Sequence, residues 1–363
     1  MRYATKGFRA TSLTQLATLL GLRMNDVAQM AGDALVLVDR RTENLPPGHR
    51  LRVESIVECL REMGYNTSLT SLTRGTSALA RVISSLWRPI PRGARMSAGN
   101  RVVVVAGFGA PHMLILANRV AKGQTVIFDT CDSWELQARA RSGSAGVSTL
   151  PPRVGRWLQP RCRRIALVTY ICARDAAVDS RRDDPSRIRV LPQARNRDLE
   201  SLPEVSFPLT RLVIAADMRS FHNQAFIRDM GPALGLAVQL GELPPIEVYG
   251  HQSTAAPLPE GLQFRGWADS LSDVYAGDTG VIVTNAVGSG VPNKYLEAIA
   301  ARRPVLAQAD VEHARGRDQD MVYVWRQPQE LIPMLKRMVA GVPSPRMGPE
   351  PEMWPEIEAR DLV

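Results

Sequence analysis

The chain has 363 residues, 45% of them hydrophobic and 22% charged, the proportions of a soluble globular protein long enough for two domains with separate cores. No apolar run reaches the roughly 18–20 residues of a membrane-spanning helix, and Cys59, Cys131, Cys162 and Cys172 have neither CxxC nor metal-ligand spacing, which fits a reduced, cytoplasmic setting. A net charge of +9 invites an anionic partner: nucleic acid, a membrane surface or a phosphorylated substrate.

The N-terminal stretch has basic residues and a leucine patch, but Arg, Thr and Gln interrupt it and no small-residue cleavage site follows, so it does not read as a signal peptide. Residues 12–32 carry apolar positions at helical spacing, broken at Gly21, with Ser12 and Gln15 spaced as a capping box. Residues 1–32 are expected to be a helical lead-in packed on the core. A helix-turn-helix is disfavoured, because no basic recognition helix follows.

The first strand is predicted at 34–38. A long loop, DRRTENLPPGHR, leads to a helix at 51–63 and a strand at 67–72. In open α/β sheets ligands gather at the carboxyl ends of strands, where this loop lies. Gly48 and His49 stand at its helix mouth, where His49 either touches an acceptor or phosphate or simply starts the helix. A helix at 76–86 and a breaker-rich stretch, WRPIPRGARMSAGN, follow. The latter reads as a solvated linker or as a membrane or nucleic-acid contact. RVVVVA at 101–106 is the most continuous buried-strand signal. Its exit, GFGAPH, lacks the third glycine of a dinucleotide fingerprint and ends on His112. The strand 125–128 exits into Asp129, Asp132 and Trp134. An acid there can serve as general base toward an acceptor hydroxyl, and at least one of the two is expected to cap the next helix. A Gly/Ser/Arg-rich loop, a basic helix at 153–164 with Trp157, and strands at 165–170 and 188–191 complete the first half. The composition of 192–208 marks a linker.

The α/β alternation then restarts. A strand at 212–216 exits through Asp217, Arg219 and Asn223 into a helix. Strands at 245–249 and near 263–267 and a helix at 269–275 follow. The stretch TNAVGSGVPNKYLEAIAARRPVLAQ, residues 284–308, reads as strand exit, Gly-rich turn, short helix and strand. Such a helix start faces its backbone N–H groups toward an anion. Lys294 and Glu297, three apart, share one helix face. They suit a nucleotide, ammonium to diphosphate and carboxylate to ribose, or they are a solvated pair on a surface helix. Only Lys6, Lys122, Lys294 and Lys336 of the 45 basic residues are lysine, so a compact ammonium at 294 looks selected.

With these residues the chain resembles the GT-B glycosyltransferases, closest to the family-4-like group, over residues 33–363. Gly288-Ser289-Gly290 through Asn293, Lys294, Glu297 and Ala298 resembles the donor signature of that family. Arg302-Arg303-Pro304-Val305 resembles its GxPV continuation, and Phe264-Arg265-Gly266-Trp267 the segment whose backbone meets the base. The resemblance implies an α/β fold of two Rossmann-like domains facing a cleft: a helical lead-in at 1–32, an acceptor domain at 33–200, a donor domain at 201–345, and a tail at 346–363 that crosses back. Closure about the 192–208 linker is expected. The resemblance also implies transfer of a hexosyl or related sugar from a UDP-, GDP- or dTDP-sugar to a hydroxyl or amine of a small-molecule or lipid-linked acceptor. No metal is expected, since Lys294 and Arg219 would neutralise the diphosphate. Donor-binding candidates are Arg219, Asn223, Arg265, Gly266, Gly288, Ser289, Gly290, Asn293, Lys294 and Glu297. Catalytic candidates are Asp132, His112 and His49, and acceptor-binding candidates are Gly48, Asp129 and Trp134.

Two departures stand out. Ser289 replaces a glutamate that retaining relatives use to contact the sugar, and Arg302 stands where GxPV has its glycine. Asp132 as base would suit an inverting outcome. Asp318-Gln319-Asp320 spells a metal-binding DxD, outweighed by the basic loop around it. The scattered arginines do not form a nucleic-acid face. A nucleotide-binding protein without transferase activity is the alternative reading. The expected location is cytoplasmic, or peripheral at the inner face of the membrane through the basic segments.

Overall fold

The structure is a computed structural model. It describes residues 33–39, 45, 47–62, 64–71, 101–108, 110–121, 125–142, 148–191, 197–252, 257–284, 290–308 and 319–343. The lead-in, the helix expected at 76–86, the 87–100 stretch, Gly288, Ser289, Asp318 and the tail lie outside them.

The described chain divides into two compact units, one through residue 191 and one from residue 197. In the first, strands β1 (Asp33–Val38), β2 (Asn66–Ser71), β3 (Arg101–Ala106), β4 (Thr125–Cys131), β5 (Leu167–Tyr170) and β6 (Ile188–Val190) form one sheet. Its order is β2-β1-β3-β4-β5-β6, with every pair parallel. Helices α1 (Pro47–Glu62), α2 (His112–Val120), α3 (Trp134–Ser142), α4 (Leu150–Leu158) and α5 (Ala173–Ser180) pack on it. Parallel strands are covered on both faces, so the inner ones read as unbroken apolar runs. Leu35, Leu37, Val103 and Val105 point into one core, and Ala34, Val36, Val102 and Val104 into the other. The edge strand β2, NTSLTS, is polar and largely exposed.

The second unit contains β7 (Arg211–Ala215), α6 (Phe221–Gln239), β8 (Ile246–Tyr249), β9 (Leu262–Gly266), α7 (Leu271–Tyr275), β10 (Thr279–Ile282), α8 (Asn293–Ala300), β11 (Val305–Gln308), β12 (Val322–Trp325) and α9 (Leu331–Val339). The sheet order is β12-β11-β10-β7-β8-β9, again parallel throughout. From its first strand this runs 3-2-1-4-5-6, the dinucleotide-fold order, whose chain reverses direction between the first and fourth strands. The reversal falls between β7 and β10, and in the first sheet between β1 and β3. Ligands of such sheets bind at the carboxyl ends of the strands at these two places.

Three packing details correct the sequence reading. Trp134, expected to meet an acceptor, is 1% exposed. Its ring lies against Gly155 of α4, where a Cβ would sit 2.4 Å away, and its indole N–H donates to Gln159 Oε1 at 2.8 Å. It is therefore the seat of α4. Asp129 is fully buried: Arg52 Nε and Nη2 donate to it at 3.0 and 2.8 Å, and the Thr169 hydroxyl at 2.6 Å. Its oxygens are taken, so it ties α1 to β4 and β5 and does not bind an acceptor. Asp129, taken up by Arg52 and Thr169, leaves the start of α3 to other groups. Ser133 Oγ accepts from Leu136 N, and Asp175 and Asp179 of α5 accept from the backbone N–H groups of Ser133 and Trp134. Two carboxylates from a neighbouring helix thus satisfy donors that a local cap would otherwise take.

Candidate functional site

In the second unit the exits of β7 and β10 converge on the start of α8. Gly290 takes φ +72, a backbone that suits glycine, and Pro292 precedes the first helical turn with φ −62 and ψ 128. Asn293 and Lys294 open the helix, half-buried. Lys294 Nζ donates to Asn223 Oδ1 at 2.9 Å and to Thr284 Oγ1. Thr284 donates to the same Asn223 oxygen at 2.5 Å, and Asn223 Nδ2 donates to the Asp217 carbonyl at 2.7 Å. Sequence reasoning missed Thr284 as a partner of Lys294. It stands two residues after β10, at the strand exit, which was the available signal.

Burial drives the Lys294 ammonium down to about 7, with Glu297 offsetting part of the effect. Burial likewise pushes the Glu297 carboxyl up, against the Tyr275 hydroxyl that donates to it at 2.8 Å and the Lys294 charge. An ammonium held by two neutral oxygens at a helix mouth has the chemistry to take an anion.

Beside it, the exits of β7, β8 and β9 are laced together. Gly250 donates to the Gly266 carbonyl at 2.8 Å, and Met218 N to the His251 carbonyl at 2.9 Å. Gly250 has φ +131, and a Cβ there would lie 2.1 Å from the Ala216 carbonyl oxygen. The His251 and Trp267 rings stand 5.0 Å apart at this edge, with Trp267 45% exposed. An exposed indole directly after a strand end offers a flat apolar platform. The sequence reading considered only the backbone of that segment.

Two donor candidates are placed differently from expectation. Arg265 is bound through Nη2 and Nε to Glu247 at 2.6 and 3.0 Å. Glu247 also takes Arg211 at 2.8 Å, so this pair braces β7, β8 and β9. Arg219 is 62% exposed and folded onto both oxygens of Asp217.

In the first unit the corresponding edge lies after β1 and β3. His112 Nε2 is 2.8 Å from Asp39 Oδ1, each side chain 11% exposed. Asp39 closes β1 and His112 opens α2. Phe108, at φ 38, stacks on His49 with ring centroids 4.5 Å apart and planes at 14°. Gly48 precedes His49 in α1. Asp132 is half-buried beyond the β4 bulge at Cys131, whose φ of +66 turns the chain outward. The sequence identified His49, His112 and Asp132 here, but missed the carboxylate partner Asp39. Asp39 was placed in a loop with no contact assigned. The DxD residue Asp320 lies in the single turn Gln319–Met321 before β12.

No family model matches the chain, and no curated protein does. Solved structures match in fold. Anabaena HepE in complex with UDP aligns over 85% of this chain and 93% of its own, with a TM-score of 0.56 and 11% identity. A glycosyltransferase from Rickettsia africae aligns over 86% and 92%, with a TM-score of 0.56 and 9% identity. The fold is that of the GT-B glycosyltransferases. TarM of S. aureus shares it at a TM-score of 0.52 and 11% identity, and the chain spans 48% of TarM's length. In GT-B terms, the second unit carries the helix mouth of Lys294, and the first carries the Asp39–His112 pair.

Proposed function

We propose that the chain is a glycosyltransferase that moves a sugar from a nucleotide donor to an acceptor hydroxyl or amine without a metal. The observation that carries the reading is the Asn223–Thr284–Lys294 cluster at the α8 mouth, at the reversal point of the second sheet. The donor diphosphate takes the place of a missing counter-charge for Lys294. Glu297 binds the ribose hydroxyls. The Trp267 ring supports the base, whether UDP-, GDP- or dTDP-sugar supplies it. Arg219 lies close to the same strand exit, on a weak exposed tie to Asp217 that a phosphate can outcompete.

In the first unit, His112 is the base. With Nε2–H held by Asp39, its Nδ1 is left to accept the acceptor's proton. The acceptor oxygen or nitrogen bonds to the anomeric carbon, the bond to the diphosphate oxygen breaks, and the leaving charge is met by Lys294. Asp132 is the second candidate for the base. Among the described residues no helix is long and apolar enough to cross a membrane, so a lipid-linked acceptor would be met at a surface.

The test is calorimetric titration of UDP, GDP and dTDP, followed by turnover against an acceptor panel. Lys294→Ala and Glu297→Ala should each weaken nucleotide binding, and His112→Ala should keep binding and lose transfer. Unchanged nucleotide affinity in both site variants would falsify the donor reading. Full transfer by His112→Ala moves the base to Asp132. Nucleotide binding with neither transfer nor donor hydrolysis leaves a binding protein.

A further inference from the structure

On the first unit, α3, α4, the turn after α4 and the end of α5 enclose an open groove of about 820 Å³. Five arginines line it, Arg139, Arg153, Arg156, Arg161 and Arg182, against a single carboxylate, Glu135. Arg156, Arg139 and Arg182 converge on that carboxylate at 2.5, 3.1 and 3.8 Å. Burial works against the Glu135 charge, but the hydrogen bonds from Arg139 and Arg156 win and hold its carboxyl below the usual glutamate value. Arg153 and Arg161 have no carboxylate partner among the described residues. Arg161 lies 4.3 Å over the Trp157 ring and donates to the Trp157 carbonyl at 2.6 Å, which fixes its guanidinium at the groove wall.

This arrangement is costly unless something offsets it. Like charges gathered along one groove repel and raise the local positive potential. A guanidinium offers a planar fork of donors matched to phosphate oxygens, and here two helices and the turns after α4 and α5 gather five such forks around one groove. One phosphate would engage one or two of them. We infer that the groove is an anion-binding site for a compact group carrying two or more phosphates. Leu150 and Trp157 stand beside it on α4, 66% and 57% exposed. At positions i and i+7, with Arg153 between them, they form an apolar and basic stripe of the kind that rests in a bilayer interface. The phosphates can therefore belong to a lipid headgroup or to a free polyphosphate. The inference uses no residue of the nucleotide site and stands independently of it.

The experiment is direct binding to the full chain at low salt, by calorimetry with tripolyphosphate and by sedimentation with phosphatidylcholine vesicles with and without cardiolipin, whose headgroup carries two phosphates. The double variant Arg153→Gln/Arg161→Gln leaves the Glu135 partners in place, so its melting curve should match the parent's. Its affinity for the bound probe should fall roughly thirty-fold, taking about a factor of five to six per arginine. UDP binding should stay unchanged. Binding to cardiolipin vesicles that Trp157→Ala lowers more than tripolyphosphate binding identifies a lipid headgroup. Tripolyphosphate binding without vesicle binding identifies a soluble ligand. Absence of binding to either probe, or binding that the double variant leaves unchanged, overturns the site.

Discussion

Arg52 and Lys294 are both cations on a helix that follows a strand exit, Arg52 buried and Lys294 half-buried. They end in opposite states. Arg52, 1% exposed, spends its donors on Asp129 and on the Leu191 carbonyl, and Asp129 spends its remaining capacity on Thr169. Burial disfavours the arginine's charge, but Asp129 more than offsets this and raises its pKa. Among the described residues Lys294 meets the neutral oxygens of Asn223 and Thr284, with Glu297 acting on it through space, and its pKa falls to about 7. A charge closed off by a carboxylate is part of the architecture. A charge left short of one is, on the proposed function, the group that meets the donor diphosphate. The difference separates a structural ion pair from a binding group where composition and spacing alone do not.

The largest effect that would break this comparison is on stability. Removing one member of a buried pair strands the other and costs about 3–5 kcal/mol. Arg52→Ala and Asp129→Ala should each lose that much in urea unfolding, with the first unit's transition moving and the second's staying in place. A loss nearer the ~1 kcal/mol of a solvated pair would place Arg52 in contact with water and remove the contrast.

Lys294→Met should do the reverse. Folding stability should hold or rise, because a desolvated ammonium opposes folding. Nucleotide affinity should fall by about 2–3 kcal/mol, the worth of a charge-assisted hydrogen bond. The pH dependence sharpens the point. A group whose folded pKa is lowered to about 7 is mostly neutral above that pH in the free protein and must take up a proton to bind a diphosphate. Affinity should therefore fall as pH rises past 7, approaching tenfold per unit, with proton uptake visible in titrations run in buffers of different ionisation enthalpy. A flat profile from pH 6.5 to 8.5 means that the Lys294 ammonium keeps its charge in the free protein, which removes the contrast with Arg52. A smaller effect is expected at the edge platform. Trp267→Ala should cost about 1–2 kcal/mol in nucleotide binding, the scale of stacking on a base, with little change for inorganic pyrophosphate. Equal losses for both ligands would mean that the ring shapes the loop and does not meet the base.

Much of this layout was legible in the sequence. Apolar runs such as RVVVVA and the glycine-rich turn before Lys294 report directly on parallel strands and helix starts, because those elements are decided locally. Sheet order and the reversal points that place the sites follow from how these elements pair. What local signals do not carry is pairing across the sheet. Asp129 and Trp134 looked like edge residues because they follow a strand. Arg52, 77 residues away, and Gly155 on a later helix make them core. Asp39 stayed invisible for the same reason, since its partner His112 lies 73 residues on.

Arg302 tests whether a departure from family pattern is functional or merely tolerated. It closes α8 in the left-handed conformation, φ +51, with Arg302 N donating to the Ile299 carbonyl and Arg303 N to the Ala298 carbonyl. That is the helix-ending position which glycine favours, because a Cβ there crowds the carbonyl. The side chain's tie to Glu204, 3.4 Å between groups 58% and 82% exposed, is too solvated to compensate. Relief of the left-handed strain, about 1–2 kcal/mol, exceeds the extra chain entropy of glycine, about 0.5–1 kcal/mol. Arg302→Gly should therefore stabilise the second unit by somewhat under 1 kcal/mol in urea unfolding. Arg302→Ala, which keeps the Cβ, should gain nothing. If the two variants behave alike, the backbone explanation fails and the arginine side chain itself must hold the turn. If glycine alone stabilises, the Val305 strand and the Lys294 helix are joined through a strained residue, and nucleotide affinity in Arg302→Gly should match the parent's.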